Sequence, residues 1–471
     1  MTDLRAEQEP GSWRTLLGRE HAPVAMVLAG GVLLEASNVY LTTSLLPTIV
    51  ADIGGAQYYA WTMTTFLVAS VISAMLVSRT LTTKGSVNAY VLAFSLFGAG
   101  SLLCAASPDM GIFLLGRAVQ GLGGGLLAGL GYALIQRSLP EQLWARGAAL
   151  VSAMWGVGNL LGPTVGGLFG QIDVWRPAFA ILAGLAVALA ALVVRVIPRT
   201  AKAQASSPVP TVSLVLLTAA VAAVSLASVV PEGVGTIVAI GAGLVLGVSF
   251  IRYERTATSS VLPAVTFARS SSLRWVYITV GILAFGIGTE AFIPLFGQEL
   301  GGFSPLLAGF LGASLSLGWS VTQMFSANAE RGRSVKALTI AGPAVLAAGL
   351  AAYAALQESL PATPVLALWF AALFVAGAGI GLAFPHLTVA AFRSVDDQEE
   401  AAKAAAGINM VFLIASAFSA ALAGVLVSLG EPSMLDSARY LLIAFAAIAV
   451  VGVLPARASG RVHDLTVAPD G

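Results

Sequence analysis

Trp155-Gly156-Val157-Gly158-Asn159-Leu160-Leu161-Gly162-Pro163-Thr164-Val165-Gly166-Gly167 lies inside a long apolar stretch of a 471-residue chain. In a water-exposed helix each of these glycines would cost about 1 kcal/mol and Pro163 about 3 kcal/mol. A membrane-spanning helix tolerates both, because neighbouring helices and side chains satisfy the freed backbone groups. Gly158, Gly162 and Gly166 recur every four residues, so on a helix they form one bare stripe. Another helix can approach such a stripe closely. The stretch therefore points to a membrane protein built of closely packed helices.

The composition agrees. Hydrophobic residues make up 57% of the chain and charged residues only 10%, against about 25% charged in an ordinary soluble domain. The mean hydropathy is +0.88. So few charges could not solvate the surface of a soluble chain of this length, whereas a bilayer-embedded chain needs no such surface. A net charge of +1 argues against a nucleic-acid partner. The single cysteine, Cys104, excludes an intramolecular disulfide and any multi-cysteine metal site. Residues 1–22 mix Arg5, Arg14 and Arg19 with Asp3, Glu7, Glu9 and Glu20. The first span, rather than a cleaved leader, is expected to direct insertion.

Fourteen stretches, 23–50, 58–78, 86–106, 111–137, 144–170, 177–197, 211–229, 232–251, 273–299, 306–327, 335–356, 364–392, 399–428 and 436–455, read as spans. Each comes near the ~20 apolar residues that cross a hydrocarbon core. With both termini cytoplasmic, 21 of the 24 Lys and Arg residues fall on the inner side, as the positive-inside bias requires. Arg176 and Arg439 fall outside, and Arg117 is left within a span. Hydrophilic stretches at 198–210 and 252–272 then divide the chain. The expected organisation is a cytoplasmic segment over 1–22, a six-helix bundle over 23–198, and a linker with two extra spans over 199–271. A second six-helix bundle over 272–456 and a cytoplasmic tail over 457–471 complete it.

Ionisable residues inside spans are costly and normally face the bundle interior or a watery cavity. Arg117 lies in Gly116-Arg117-Ala118-Val119-Gln120-Gly121-Leu122-Gly123 and shares a helix face with Gln120. Glu35 lies near the middle of the first span, in Leu33-Leu34-Glu35-Ala36-Ser37-Asn38. Desolvation opposes its charged form and a nearby Arg117 would favour it, a balance suited to a group that loads and releases a proton. Glu290 precedes Pro294 by four residues in the first span of the second half. It is a candidate proton carrier or partner of a cationic substrate. His386 follows Pro385 and stands seven residues before Arg393, near the inner interface.

The string over Trp155–Gly167 resembles the antiporter motif of the fifth helix in major facilitator superfamily drug exporters, carried here by Gly156, Gly158, Gly162, Pro163, Gly166 and Gly167. The string around Arg117 is similar to the superfamily's fourth-helix motif, whose arginine is linked to proton coupling. The six–two–six division is similar to the fourteen-span branch of the drug:proton antiporters. The resemblance covers residues 23–456. It implies an all-α membrane protein of two six-helix bundles plus two extra transmembrane helices, with the substrate site near the midplane between the halves. It further implies a bacterial inner-membrane multidrug efflux transporter, monomeric and surrounded by membrane lipids. Such a transporter exchanges lipophilic small molecules for protons and uses the proton gradient in place of any cofactor. Proton coupling is then assigned to Glu35, Arg117 and Glu290. Asn38, Tyr40, Trp61, Gln120, Trp155, Asn159, Phe292, Gln323, His386 and Asn409 are candidates for the substrate cavity.

Two departures from the family pattern stand out. The fourteen-span branch usually has an aspartate nine residues before the proline of the first helix. Nine residues before Pro47 stands Asn38, and the carboxylate lies one turn back at Glu35. The gating loop after the second span normally carries Asp-Arg, but Thr82 and Thr83 occupy those places. The corresponding loop after span ten keeps more of the pattern as Glu330-Arg331-Gly332-Arg333.

Enzymatic and ATP-driven machinery is absent from the sequence. A P-loop needs Gly immediately before Lys, but the four lysines follow Thr83, Ala201, Val335 and Ala402. His21, His386 and His463 form no His-Glu-x-x-His zinc motif, and no Gly-x-Ser-x-Gly nucleophile elbow is present. The alternative to drug export is export of an endogenous lipid or metabolite, since the fourteen-span branch includes both. Proton-coupled uptake fits less well, because importers of the superfamily generally lack the glycine–proline string.

Overall fold

The computed structural model describes residues 12–199, 209–230, 233–257, 260–268, 271–329, 332–394 and 398–459. Its described residues are all helical, with connecting turns and no strand. The first half contains α1 (Ala22–Ile53), α2 (Tyr59–Met75), α3 (Val77–Lys84), α4 (Ser86–Ala105), α5 (Met110–Ala133), α6 (Trp144–Gln171) and α7 (Arg176–Val196). The insert contains α8 (Thr211–Leu226) and α9 (Val234–Glu254). The second half contains α10 (Leu273–Gly288), α11 (Ile293–Glu299), α12 (Pro305–Ser326), α13 (Gly332–Ala355), α14 (Thr363–Phe392), α15 (Gln398–Ser428) and α16 (Met434–Val451).

Local chemistry sets several of these boundaries. Asp109 Oδ1 accepts the Ile112 backbone N–H at 3.0 Å and opens α5, supplying one of the partners a helix start lacks. Ser304 does the same for Leu307 at 3.4 Å, with Pro305 at the first position of α12. Pro294 has no N–H and its ring crowds the carbonyl four residues back, which belongs to Glu290. The α-helix accordingly gives way to a 3₁₀ turn over Thr289–Ala291 between α10 and α11. Pro47, Pro163, Pro343 and Pro385 lie within continuous helices.

The same pairing pattern appears in both halves. In the first, α6 packs on α1, α5 lies between α4 and α2, and α4 packs on α7. In the second, α15 packs on α10, α14 lies between α13 and α12, and α13 packs on α16. Each half has its own core, one around Phe94, Phe97, Phe113 and Phe179, the other around Phe296, Trp369, Leu373 and Phe445. The halves meet along α6 against α12 and α2 against α15, with α1 touching α11 and α12. The insert lies beside the second seam, where α8 packs on α15 and α2. Buried Glu254 fastens the insert to the chain that follows. It accepts from Ser213 Oγ on α8 at 2.5 Å and from the backbone N–H groups of Val261 and Leu262 at 2.9 and 2.8 Å.

Twelve helices among the described residues are long and apolar enough to cross a membrane, or thirteen if the pair Ala56–Met75 and Val77–Lys84, bent by 51°, forms one span. This is below the fourteen expected from the sequence. The shortfall has a physical origin. The stretch expected at 211–229 holds only 16 residues of helix, Thr211–Leu226, or about 24 Å at 1.5 Å per residue. That is shorter than a hydrocarbon core of about 30 Å.

Candidate functional site

Arg117, Gln120, Glu35, Asn38, Tyr40, Asn159 and Glu290 fall into a belt that runs from α5, through α1, to the seam with the second half. Arg117 is fully buried on α5 and is held by neutral groups. Its Nη1 donates to Asn38 Oδ1 at 3.1 Å and to Gln120 Oε1 at 2.5 Å, and its Nε donates to the Thr62 carbonyl at 3.2 Å. The guanidinium carbon stands 4.3 Å from the centroid of the Phe66 ring, a cation–π contact that also covers it from water. Gln120 is fixed in turn, because its Nε2 donates to Ser101 Oγ on α4 at 2.8 Å. Gln120 thus orients Arg117 from behind.

Glu35 sits on α1 and is 3% exposed. Its Oε2 has no hydrogen-bond partner, and neither does Asn38 Nδ2. A Cβ added at Gly124 would lie 3.5 Å from Glu35 Cγ and 3.2 Å from Phe66, so the bare face of α5 makes room for this carboxyl group. No carboxylate pairs with Arg117 among the described residues. The partner of Arg117 on α1 is therefore Asn38, in the register where the family usually has aspartate, and Glu35 stands one turn away.

Glu290 lies in the helix break of the second half and is 6% exposed. Ser316 Oγ, on α12, donates to its Oε1. Ser316 also bonds Tyr40 Oη, on α1 in the other half, at 2.9 Å. Phe292 crosses the same seam, stacked on Tyr59 of α2 with centroids 4.9 Å apart. Asn159 crosses it on α6, where Nδ2 donates to the Ala313 carbonyl at 3.3 Å while Oδ1 is unpartnered.

The glycine string explains how α6 holds this arrangement. Cβ atoms added at Gly158, Gly162 and Gly166 would collide with Ala36, Ser37, Tyr40 and Leu41 of α1. Gly167 and Pro163 lie on the other side, against Leu306 and Gly309 of α12. One helix thus locks α1 in place and meets the second half. Gly156 takes no part, since nothing lies within 4 Å of where its Cβ would be.

The remaining candidates are spread more widely. Trp155 is 37% exposed, one turn before Asn159 on the same helix. Gln323 accepts from Trp319 Nε1 at 2.7 Å, and Trp319 packs with Phe384 and Phe412, each with its centroid 5.5 Å away. His386 is buried, with Nε2 2.9 Å from Ser326 Oγ. Asn409 is exposed on α15. Trp61 turns away from the belt and donates to the Ser225 carbonyl of the insert at 3.2 Å. Glu330 and Arg331 of the gating loop lie outside the described residues. The sequence reading missed Ser316, Thr62 and Ser101. Ser316 carried a faint signal, because it stands three residues before Trp319 and seven before Gln323, on one face of a helix.

Comparison with known proteins gives a consistent family. The sequence profile of the Major Facilitator Superfamily matches residues 28–401. A probable multidrug-efflux transporter of Mycobacterium tuberculosis is 44% identical over 457 residues, covering 95% of this chain and 96% of that protein. An uncharacterised MFS-type transporter of the same organism is 27% identical over 423 residues, covering 85% of this chain and 58% of that one. Among solved structures, a bacterial homologue of the human lysosomal transporter Spinster, inward-facing and unoccupied, superposes with a TM-score of 0.65 at 15% identity. That match covers 98% of this chain and 100% of the other, and it speaks for the fold alone.

Proposed function

This chain belongs to the Major Facilitator Superfamily, and on that premise we propose that it exports lipophilic small molecules across the bacterial inner membrane in exchange for protons. The observation that carries the proposal is a pair of buried carboxyl groups, one in each half, neither joined to a cation. Glu35 is 3% and Glu290 6% exposed, and the ion pair formed among the described residues is Arg176 with Asp52. A charged carboxylate buried without a counter-ion is costly, so each group is suited to hold a proton for part of the transport cycle. Each can part with that proton when the cycle exposes it to water. Arg117, held by neutral acceptors, carries its charge to α1 through Asn38, one turn from Glu35. The 44% identity to a probable multidrug-efflux transporter supports a lipophilic cargo.

In this reading α8 and α9 both cross the bilayer, α2 and α3 form one bent span, and the protein is a fourteen-span monomer with both termini cytoplasmic. The contacts between halves then lie toward the outside. They join the end of α6 to the start of α12, as in the 3.3 Å bond from Gln171 to Ser304. The described state faces inward, where cargo enters between the halves and meets Trp155 and Trp319. Proton binding from outside at Glu35 and Glu290 disfavours cargo, and return to the inward state releases the protons.

The test is dye uptake into inverted vesicles containing purified protein, driven by an imposed pH gradient. Wild type is expected to accumulate a fluorescent lipophilic dye, and Glu35→Gln or Glu290→Gln to lose that uptake by at least about tenfold, roughly 1.4 kcal/mol in the coupling step. Transport indifferent to the gradient and to both substitutions would sink the proposal.

A further inference from the structure

We propose that Ser316 is a positioning residue that transmits the protonation state of Glu290 to the contact between the two halves. Three buried side chains form one chain of hydrogen bonds across the seam: Tyr40 is 9%, Ser316 2% and Glu290 6% exposed. Ser316 has a single O–H and donates it to Glu290 Oε1. While Glu290 is charged, the bond of 2.9 Å to Tyr40 is therefore donated by the tyrosine. Tyr40 is held at its Cβ by the bare face of α6 at Gly162, and Glu290 by the helix break over Thr289–Ala291. The chain thus ties the closely packed pair α1 and α6 to the hinge between α10 and α11.

The direction of the bonds gives the switch its sign. A charged carboxylate accepts about twice as strongly as a neutral group. When Glu290 gives up its proton, Ser316 is gripped harder, and its polarised O–H makes its oxygen a better acceptor for Tyr40. When a proton sits on Oε1, that atom becomes a donor. Its bond with Ser316 is then one between neutral groups, whichever of them donates, and the chain weakens. The halves are therefore held together more firmly when Glu290 is charged. By reciprocity, closing this end of the seam promotes proton loss from Glu290. This deepens the exchange reading above, because it couples outer closure to proton release on the inner side.

Few other titratable groups can produce the effect. The elements packed on the Thr289–Ala291 turn are α10, α11, α12 and α15. α10 carries Arg274 and Tyr277, α11 carries Glu299, and α12 carries none. α15 carries Glu399, Glu400 and Lys403 near its start, far along the helix. α1 contributes Tyr40 together with Glu35 and Asp52.

The test measures the seam directly. Spin labels at Ile172→Cys and Glu299→Cys, both exposed positions at this end of the two halves, report its opening. Fully buried Cys104 stays in place. In detergent-solubilised full-length protein, the ratio of long to short distances is expected to rise roughly five- to tenfold from alkaline to acid pH, the difference between a neutral and a charged acceptor. Ser316→Ala and Tyr40→Phe are expected to remove the response, Ser316→Thr to keep it, and Glu290→Gln to fix one ratio at every pH. An unchanged response in Ser316→Ala, or a flat profile in wild type, overturns the proposal. Dye uptake indifferent to the gradient alongside an intact distance response would remove the exchange reading and leave this switch standing.

Discussion

At the scale of single residues, the environment of Arg117 decides most. A guanidinium buried this completely needs several acceptors with a fixed geometry. It has Asn38 Oδ1, Gln120 Oε1 and the Thr62 carbonyl. A lysine presents a compact point charge and cannot reach all three. Arg117→Lys is therefore expected to lower stability in detergent by about 2 kcal/mol, the worth of a hydrogen bond to a charged group. Asn38→Leu is expected to cost a similar amount, because it removes one of those acceptors. Both effects are read from denaturation midpoints of the purified protein, and an unchanged midpoint in either variant would show that the pocket can relax. The sequence made Arg117 and Glu35 conspicuous, since charges in apolar spans stand out by type. It did not reveal which of Glu35 and Asn38 the guanidinium would take. That choice depends on the rotation of α1 against α5 and on a backbone carbonyl of α2, neither of which leaves a trace in residue identity.

At the scale of helices, α6 shows what periodicity can and cannot convey. Glycines every four residues were legible as a packing stripe, and Gly158, Gly162 and Gly166 do lie on α1. The same string includes Gly156, which faces open space. A Cβ at Gly162 would lie 2.8 Å from the Ser37 carbonyl oxygen and 2.9 Å from the Leu41 nitrogen. These are backbone atoms that cannot rotate away, so the two helices would have to separate. Gly162→Ala is expected to lose about 1–3 kcal/mol of stability through overpacking, whereas Gly156→Ala should stay within about 0.5 kcal/mol of wild type. Equal effects in a denaturation series would mean that the stripe does not pack as described. Helix length was less legible than helix position. The stretch 211–229 carries no charged residue, yet its helix stops at Leu226 and the chain turns through Ala227–Val229. Hydropathy records which residues avoid water and says little about where a helix ends.

At the scale of the whole molecule, the polar contacts of α6 with the second half gather at one end. The polar bonds across the seam that involve α6 run from Gln171–Ser304 to Asn159–Ala313. Beyond them α12 continues to Met324 and Phe325, each 74% exposed. Single cysteines at the two ends can establish which side of the membrane each faces, because Cys104 is fully buried and should not react. Asn328→Cys, exposed just past α12, is expected to react with a membrane-impermeant maleimide in inverted vesicles and not in intact cells. Asp173→Cys, exposed just past α6, should show the opposite pattern. This expectation rests on the positive-inside distribution of Lys and Arg, which depends on both α8 and α9 crossing the membrane. If the short helix α8 failed to cross, the second half would be inverted relative to the first. Asn328→Cys and Asp173→Cys would then be labelled from the same side. The two halves pair their helices in the same order and meet along two seams, an arrangement that alternating access needs and that an inverted half could not form. The paired labelling pattern is thus a test of the orientation and, through it, of whether both helices of the insert cross the membrane.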